Sequence, residues 1–351
     1  MIKRIADVQR QLRQLEIPAV LITNLTDVKY LSGFTGSTAY MIVDLEGAYF
    51  YTDGRYEVQS SQEVSSNIAV EIVTDYSIIF KEYCAKYKKI LLQPSCVINI
   101  SSKVATSGTE IYLDDKDILQ KLRMIKDENE IKLIKEQYRL AGKAFLRALK
   151  SFKFGNSEKT WAAALEYHMK ILGAKGESFE TIVASGVRGA MPHGVASIKE
   201  VNENEPVLID FGSRDVYNSD YTRMVYNGND SEVLKVIDIV RAAVEKSIES
   251  IKTGDLCRDV DNVARQYIES FGYGKYFNHS LGHGVGIDVH ELPVLNKRSE
   301  NIIEDGMVFT IEPGIYLPEK FGVRLEQTVY INNGKAEIIS DTLDKYVYTI
   351  G

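Results

Sequence analysis

Four acidic residues lie in or beside strand-like apolar segments of this 351-residue chain, at places where the pattern otherwise predicts core residues. Asp210 ends one such segment, and Asp220 opens the next, ten residues later. Glu312 and Glu326 each lie inside a further segment of the same kind. A buried carboxylate is costly unless it is paired or binds a metal ion. The fold must therefore supply partners for these acids, and a turn after Asp210 would let two strands pair and bring both aspartates to one end.

The combined charge of these acids indicates what the partners are. Four carboxylates at short range repel one another, and two divalent cations would neutralise them. Carboxylate oxygens with one imidazole nitrogen form a hard, mixed ligand set, unlike a thiolate site. Such a set suits manganese, iron, cobalt or zinc. Two such ions close together can hold a bridging water, lower its pKa and polarise a carbonyl group. The pattern therefore favours hydrolytic chemistry.

Three of the five histidines fall in one short segment, "HSLGHGVGIDVHEL", at positions 279, 283 and 290. His283 lies between two glycines, where the backbone can approach a metal closely, and we expect it to be the imidazole ligand. His279 and His290 flank it and could orient a substrate or stabilise an oxyanion. His193 is isolated in the sequence, and its local pattern leaves a structural and a functional role equally open.

The composition excludes several classes of partner. The formal net charge is −7, which argues against nucleic acid or an anionic membrane as the partner. The start of the chain has no signal-peptide pattern, and no apolar run is long enough to cross a bilayer. The three cysteines have no CxxC spacing. This favours reduced thiols that serve as small buried apolar side chains. We therefore expect a cytoplasmic protein.

The chain is too long for one ordinary core, and its pattern changes near residue 122. Short strands alternate with helix-like pieces before this point, which predicts an α/β domain over residues 1–122. A long amphipathic helix then begins after Asp127, with Glu130 placed to complete a capping box. Residues 123–351 mix further helices with strands, and we interpret "GVRLEQTVYI" around Glu326 as one continuous strand.

Several motifs occur in the order typical of one family. They are "DVKYLSGFTGSTAYMIVDLEGAYFYTDGRY", "VASGVRGAMPHG", "LIDFG", "SDYTR", "GHGVGIDVHELP", "GMVFTIEPGIY" and "GVRLEQT". The chain resembles the creatinase/methionine-aminopeptidase-like metallopeptidases, in the branch of Xaa-Pro aminopeptidases and Xaa-Pro dipeptidases (prolidases). The resemblance implies an α+β pita-bread catalytic domain, preceded by a smaller creatinase-like N-terminal α/β domain, and a homodimer.

The resemblance also implies a dinuclear metal centre with five ligands. Carried over residue by residue, they are Asp210, Asp220, His283, Glu312 and Glu326, of which Asp220 and Glu326 would bridge two divalent ions. We expect manganese, with cobalt, iron or zinc as alternatives. The family pattern separates the first two aspartates by eleven residues, whereas the separation is ten here. A hairpin loop shortened by one residue can absorb this difference.

Roles in catalysis follow from the same resemblance. A hydroxide held by both metals would attack the carbonyl before proline, with Glu312 moving the proton and with His290 and His193 stabilising the intermediate. The predicted substrate-binding residues are His193, His279, His290 and Arg324. Arg324 stands two positions before Glu326 on the predicted strand, so both would share a face and a guanidinium there could hold a carboxylate.

The predicted function is removal of the N-terminal residue from peptides with proline at position two, an Xaa-Pro aminopeptidase activity. An Xaa-Pro dipeptidase is the alternative, and a non-catalytic peptide-binding protein is a more remote one. Many prolidases carry an arginine after the "HExP" proline, where it can grip the carboxylate of a dipeptide, and this chain has Val294 there. That difference favours the aminopeptidase, although Arg298 nearby could substitute.

Overall fold

The structure is a computed structural model that describes residues 2–94, 96, 108–115 and 117–351. The chain divides into two compact units, Met1–Arg123 and Met124–Gly351. Within the described residues, no helix combines the length and the apolar character that crossing a membrane would require. Cys84 and Cys257 are buried, and Cys96 is partly buried.

The first unit is built around a six-stranded mixed sheet with the strand order β4-β3-β2-β1-β5-β6. Up to Met124, the described α-helices are α1 Ile2–Leu15, α2 Leu25–Ser32, α3 Glu57–Glu63 and α4 Ile118–Met124. The strands are β1 Ala19–Ile22, β2 Tyr40–Asp44, β3 Ala48–Thr52, β4 Ala69–Ile72, β5 Lys89–Leu92 and β6 Glu110–Leu113. The strand β1 is buried along its whole length and pairs antiparallel with β2 and parallel with β5.

Local sequence explains the elements of this sheet. Helix α1 buries Ile5, Val8 and Leu12, which recur at helical spacing along one face. The hairpin between β2 and β3 turns at Glu46 and Gly47, as the sequence predicts, and their backbone N–H groups donate to Oδ1 of Asp44 at the end of β2.

The second unit holds four longer helices and two principal sheets. Its α-helices are α5 Glu128–Ala148, α6 Glu158–Ile171, α7 Ser231–Ser250 and α8 Cys257–Ser270. Its strands are β7 Gly176–Glu177, β8 Ile182–Ser185, β9 Val207–Phe211, β10 Ser213–Arg214, β11 Tyr221–Val225, β12 Gly282–Gly284, β13 Glu291–Leu295, β14 Val308–Ile311, β15 Gly314–Leu317, β16 Phe321–Arg324, β17 Gln327–Asn332, β18 Lys335–Ile338 and β19 Val347–Tyr348. The principal sheets have the orders β19-β11-β9-β8 and β13-β12-β14-β17-β18. This arrangement of helices and sheets confirms the predicted α+β class.

The capping box at the start of α5 is present as predicted. The side chain of Asp127 accepts from the backbone N–H of Glu130, and the Glu130 carboxylate accepts from the backbone N–H of Asp127. The buried face of α5 then includes Ile131, Ile134 and Tyr138, which belong to the apolar positions that the sequence places at helical spacing.

The predicted acidic positions fall at the ends of strands in both principal sheets. Strands β9 and β11 pair antiparallel, so the predicted hairpin is correct, and Asp210 on β9 lies opposite Thr222 on β11. The prediction of one strand over "GVRLEQTVYI" is wrong. The segment forms β16, which pairs with β15, and β17, which pairs with β14, so the chain passes from one sheet to another at Leu325 and Glu326.

Candidate metal centre

Three carboxylates from separate strands meet at one point. Asp210 lies on β9, Asp220 directly precedes β11, and Glu326 directly precedes β17. One oxygen from each carboxylate lies within 4.8 Å of the others. The ten-residue spacing between the two aspartates therefore does not separate them, because the hairpin between β9 and β11 returns Asp220 to the end of β9 where Asp210 lies.

His283 and Glu312 complete the cluster from the five-stranded sheet. The Nε2 atom of His283, on β12, lies 3.1 Å from Oε1 of Glu312 and 3.5 Å from Oδ2 of Asp220. Thr310, on β14, links two of these residues: its Oγ1 accepts from the backbone N–H of His283 at 3.1 Å and donates to Oε1 of Glu312 at 3.0 Å. All five residues predicted as ligands are thus brought together.

The hydrogen bonding of His283 sets which of its nitrogens faces the carboxylates. Its Nδ1 lies 3.1 Å from the carbonyl oxygen of Gly284, which can only accept. Nδ1 therefore carries a proton, and in the neutral ring the lone pair of Nε2 points toward Glu312 and Asp220. This is the tautomer that a metal-ligating histidine needs.

Burial makes the cluster electrostatically costly without a cation. Burial raises the pKa of Asp220 well above its ordinary value, and the nearby charges of Glu326 and Asp210 raise it further. Burial, with the charges of Glu312 and Asp210, raises the pKa of Glu326 to about 8. Burial also raises the pKa of Asp210, although the Arg324 guanidinium opposes this. These shifts are the expected result of crowding several carboxylates in a site of low polarity.

Glu312 behaves differently because it has a cationic neighbour. Burial acts to raise the pKa of Glu312, but the hydrogen bond and charge of His283 outweigh it and lower the pKa to about 2. Burial likewise acts to lower the pKa of His283, and the bond to Glu312 reverses this and raises it. Each of these two residues therefore favours the charged form of the other.

Several oxygens of the cluster are buried without a hydrogen-bond partner among the described residues. They are Oδ1 of Asp210 and both carboxylate oxygens of Glu326. A buried polar atom is almost always satisfied, and a carboxylate without a donor can instead bind a cation. Divalent metal ions fit this donor set, since Asp220 belongs to two groups of converging ligand atoms, one with the carboxylates of Asp210 and Glu326 and one with the imidazoles of His283 and His290.

Arg324 pairs with the first aspartate of the cluster. Its Nη2 donates to Oδ2 of Asp210 at 2.5 Å, its Nε donates to Oγ1 of Thr222, and its Nη1 donates to the hydroxyl of Tyr316 and the carbonyl oxygen of Pro192. The guanidinium thus holds a carboxylate, as expected, but that carboxylate is Asp210. Strand β16 ends at Arg324, so strand alternation does not extend to Glu326 two residues later.

His279 lies at the edge of the cluster and is bonded on both nitrogens. Its Nδ1 lies 2.7 Å from the carbonyl oxygen of Ser280, and its Nε2 lies 2.9 Å from the hydroxyl of Tyr316. Because the carbonyl can only accept, Nδ1 donates and Nε2 accepts from Tyr316. Burial lowers the pKa of His279 to about 4, so the ring is neutral near pH 7.

The cluster opens into a cavity of about 380 Å³. The predicted substrate-binding residues all line it, namely His193, His279, His290 and Arg324. His290 stands with its ring centroid 4.3 Å from that of His283, and one of its nitrogens lies within 4.8 Å of ligand atoms of His283 and Asp220. Glu326 is the one predicted site residue that is not part of the wall, since it is buried beneath the cavity with 1% exposure.

Two residues that support the cluster were not predicted from the sequence. Thr310 orients Glu312, and Tyr316 connects His279 with Arg324. Both lie in apolar strand-like segments where a threonine or a tyrosine is ordinary, so composition and spacing give no signal for them. Only the three-dimensional arrangement identifies their role.

Comparison with known proteins agrees with this arrangement. Residues 132–333 match metallopeptidase family M24. Residues 4–125 match the creatinase/prolidase N-terminal domain. The curated Xaa-Pro dipeptidase of Pyrococcus horikoshii is 38% identical over 331 residues, which cover 93% of each chain.

Solved structures extend the similarity over nearly the whole chain. The prolidase of P. horikoshii OT3 has a TM-score of 0.93 at 35% identity, covering 98% of this chain and 99% of that one. The X-Pro aminopeptidase of Thermotoga maritima has a TM-score of 0.88 at 36% identity, covering 97% and 100%. The resemblance found in the motifs and the predicted pita-bread fold are thereby confirmed. The chain therefore belongs to metallopeptidase family M24, a family of metal-dependent hydrolases, and carries a creatinase/prolidase N-terminal domain.

Proposed function

We propose that this protein is an Xaa-Pro dipeptidase that works with two bound divalent cations. The observation that carries the proposal is the convergence of the Asp210, Asp220 and Glu326 carboxylates beside the cavity. Among the described residues, Oδ1 of Asp210 and both carboxylate oxygens of Glu326 have no hydrogen-bond partner. The names of the similar proteins support the dipeptidase alternative better than the aminopeptidase that the motifs favoured. The curated relatives from Pyrococcus horikoshii and Pyrococcus furiosus are named Xaa-Pro dipeptidases.

The residues that would hold the cations are Asp210, Asp220, His283, Glu312 and Glu326. When bound, divalent ions in such a site lower the pKa of water and polarise a carbonyl group. Arg324 would keep Asp210 in place, because a guanidinium can grip one carboxylate oxygen and leave the other, Oδ1, directed to a cation.

Glu312 is placed to move the proton of the attacking water. It lies on the cavity wall, and its Oε1 is held by the hydroxyl of Thr310. Hydrolysis before proline requires a proton on the departing ring nitrogen, because an unprotonated amide nitrogen is a poor leaving group. Glu312 would accept the proton from water and deliver it to this nitrogen.

His193 and His290 would stabilise the carbonyl oxygen as its charge develops. Both line the cavity and are exposed to it. His279 has a different role, because its Nδ1 is occupied by Ser280 and its Nε2 accepts from Tyr316. It would shape the pocket and hold the Tyr316 hydroxyl against Arg324 rather than donate to the substrate.

The dipeptide preference would depend on a cationic cavity beside the site. His279 and Ser280 line both cavities, and the second is also lined by Arg265, Lys297 and Arg298. Arg265 is engaged by Asp261, whereas Arg298 is exposed. A free carboxylate at the end of a dipeptide could pair with a cation in this second cavity. Because Val294 carries no charge, Arg298 is the candidate residue to bind that carboxylate.

An Xaa-Pro aminopeptidase is the second candidate. Val294 lies on β13 opposite His283, and its side chain offers no positive charge to a substrate carboxylate. The similar structure from T. maritima is named an X-Pro aminopeptidase. This candidate predicts that a longer peptide is cleaved at least as well as a dipeptide.

The test compares Ala-Pro with Ala-Pro-Ala after the metal-free protein has been reloaded with manganese, cobalt, iron or zinc in turn. The proposal expects release of alanine from Ala-Pro with the higher kcat/KM. A higher kcat/KM for Ala-Pro-Ala would establish the aminopeptidase instead. If neither peptide is cleaved with any of the four candidate metals, the enzyme proposal fails.

Three finer points stay predictions. They are manganese as the native metal, a homodimer and a cytoplasmic location. Metal analysis of protein purified without added metal checks the first, and sedimentation equilibrium of the full chain checks the second. Fractionation of the source cells checks the third.

A further inference from the structure

A buried carboxylate outside the metal centre collects five hydrogen bonds. Glu158 is the first residue of α6, yet it is fully buried. Its Oε1 accepts from the backbone N–H and the hydroxyl of Ser185, both at 2.8 Å. Its Oε2 accepts from the backbone N–H and the hydroxyl of Ser197, at 3.0 and 2.7 Å, and from Nε of Arg188 at 2.9 Å.

These partners lie at the two ends of one loop. Ser185 is the last residue of β8, Ser197 lies beyond the loop of residues 186–196, and His193 lies between them. One carboxylate oxygen therefore binds each end of the loop. Arg188 adds a cross-connection, since its Nη2 donates to the carbonyl oxygen of Val195 at 2.6 Å inside the same loop.

The far side of the loop contacts the site. The carbonyl oxygen of Pro192, next to His193, accepts from Nη1 of Arg324 at 3.1 Å. The loop also packs closely on β16, because a Cβ at Gly322 would lie only 1.9 Å from the carbonyl oxygen of Gly189. Glu158 and the metal centre thus hold opposite sides of one segment.

The charge of Glu158 is what makes this anchor strong. Burial acts to raise the pKa of Glu158, but the hydrogen bonds from Ser197 and Ser185 outweigh it and leave the pKa lowered. Hydrogen bonds to a charged acceptor are about twice as strong as neutral ones. A glutamine would keep the volume but would place an NH₂ group against donors at one end of the loop.

We propose that Glu158 is a positioning residue that closes the loop of residues 186–196 and thereby holds His193 at the wall of the substrate cavity. Glu158 does not line the cavity, so it acts on turnover only through the loop. This inference rests on the proposed function for the part that His193 plays in hydrolysis.

The test compares Glu158→Gln with Glu203→Gln, which makes the same chemical change at an exposed position. We expect amide hydrogen exchange of residues 186–196 to be about tenfold faster in Glu158→Gln and unchanged in Glu203→Gln. Metal content should stay at that of the wild type. Unchanged exchange in Glu158→Gln would overturn the proposal, and this measurement needs no substrate, so it does not depend on the proposed activity.

A double-mutant cycle with His193→Ala separates positioning from general destabilisation. Glu158→Gln alone should lower kcat/KM for Ala-Pro about tenfold, and should have no further effect when His193 is already alanine. An equal loss in both backgrounds would overturn the proposal. If Glu158→Gln does not fold, Ser197→Ala removes only one donor, and it should accelerate exchange of the same loop by a smaller factor. No acceleration in Ser197→Ala would then overturn it.

Discussion

The Nε2 atom of His283 lies 3.1 Å from Oε1 of Glu312, which is within hydrogen-bonding distance of the carboxylate. Its hydrogen bond to Glu312 raises the pKa of His283 against the effect of burial. A metal ligand must present a lone pair, so the proton and a cation compete for the same nitrogen. Protonation and metal binding are therefore linked at this site.

Metal binding is expected to release protons. The raised pKa values of His283, Asp220 and Glu326 favour the protonated forms of these groups when no metal is bound. Calorimetric titration with Mn²⁺ in two buffers of different ionisation enthalpy measures the number released. We expect at least about one proton per chain and an affinity that rises with pH. Identical heats in both buffers would contradict the linkage.

Glu326→Gln is expected to change stability in opposite directions in the two metal states. Without metal, removing a buried carboxylate that has no hydrogen-bond partner among the described residues should raise the melting temperature near pH 8. With metal, the loss of a ligand should lower it and should reduce kcat/KM by about a hundredfold or more. Thermal unfolding with chelator and with Mn²⁺ checks both signs. Glu203→Gln, at an exposed position, serves as the control and should change neither.

The stability of the metal-free protein should also depend on pH. The folded protein keeps the proton of Glu326 up to about pH 8, whereas the unfolded chain loses it near the ordinary value of 4.5. At this carboxyl the folded state thus binds more protons than the unfolded chain, so the contribution of Glu326 to the free energy of unfolding falls as pH rises from about 4.5 to 8. Glu326→Gln should flatten this slope, as measured by urea unfolding across the window. The same slope in both proteins would exclude Glu326 as its source.

Part of this site could be predicted from the sequence for a physical reason. Acidic residues within apolar strand segments contradict the alternation expected of a core, so Asp210, Glu312 and Glu326 are conspicuous in the residue pattern alone. The break at Leu325 could not be predicted, because an apolar run looks the same whether it continues one strand or passes between two sheets.

Glu158 and Tyr316 could not be predicted for other reasons. A glutamate directly after a capping serine is the usual choice for the first turn of an exposed helix, so Glu158 gives no sign that it is buried. Tyr316 lies in an ordinary strand, and its role comes from its contacts with two other residues. His279 is distant in sequence, and Arg324 lies on another strand. Local pattern carries no information about such partners.

Arg324→Lys should impair catalysis while keeping the positive charge. The guanidinium reaches four acceptors at once, including Asp210 and Tyr316, and a lysine ammonium cannot reproduce this planar arrangement. We expect kcat/KM to fall about tenfold to a hundredfold, with weaker metal binding. Steady-state kinetics and metal titration measure the two effects. As a control, Arg139→Lys on the exposed face of α5 should behave as the wild type.

Arg298→Ala should separate dipeptides from longer substrates. If Arg298 binds the free carboxylate of a dipeptide, its removal should raise KM for Ala-Pro about tenfold and leave kcat nearly unchanged. KM for Ala-Pro-amide, which lacks that carboxylate, should not change. Lys297→Ala on the same cavity tests whether the neighbouring cation shares the role. Equal changes in KM for the acid and the amide would remove Arg298 from substrate binding.

We propose that the converging acids and His283 hold two divalent cations. A crystal of the full chain grown with excess Mn²⁺, and measured for anomalous scattering of manganese, tests this most directly. We expect two anomalous peaks, which between them contact the side chains of Asp210, Asp220, His283, Glu312 and Glu326. Ordered side chains with no anomalous peak between them, or manganese bound only elsewhere on the chain, would contradict it.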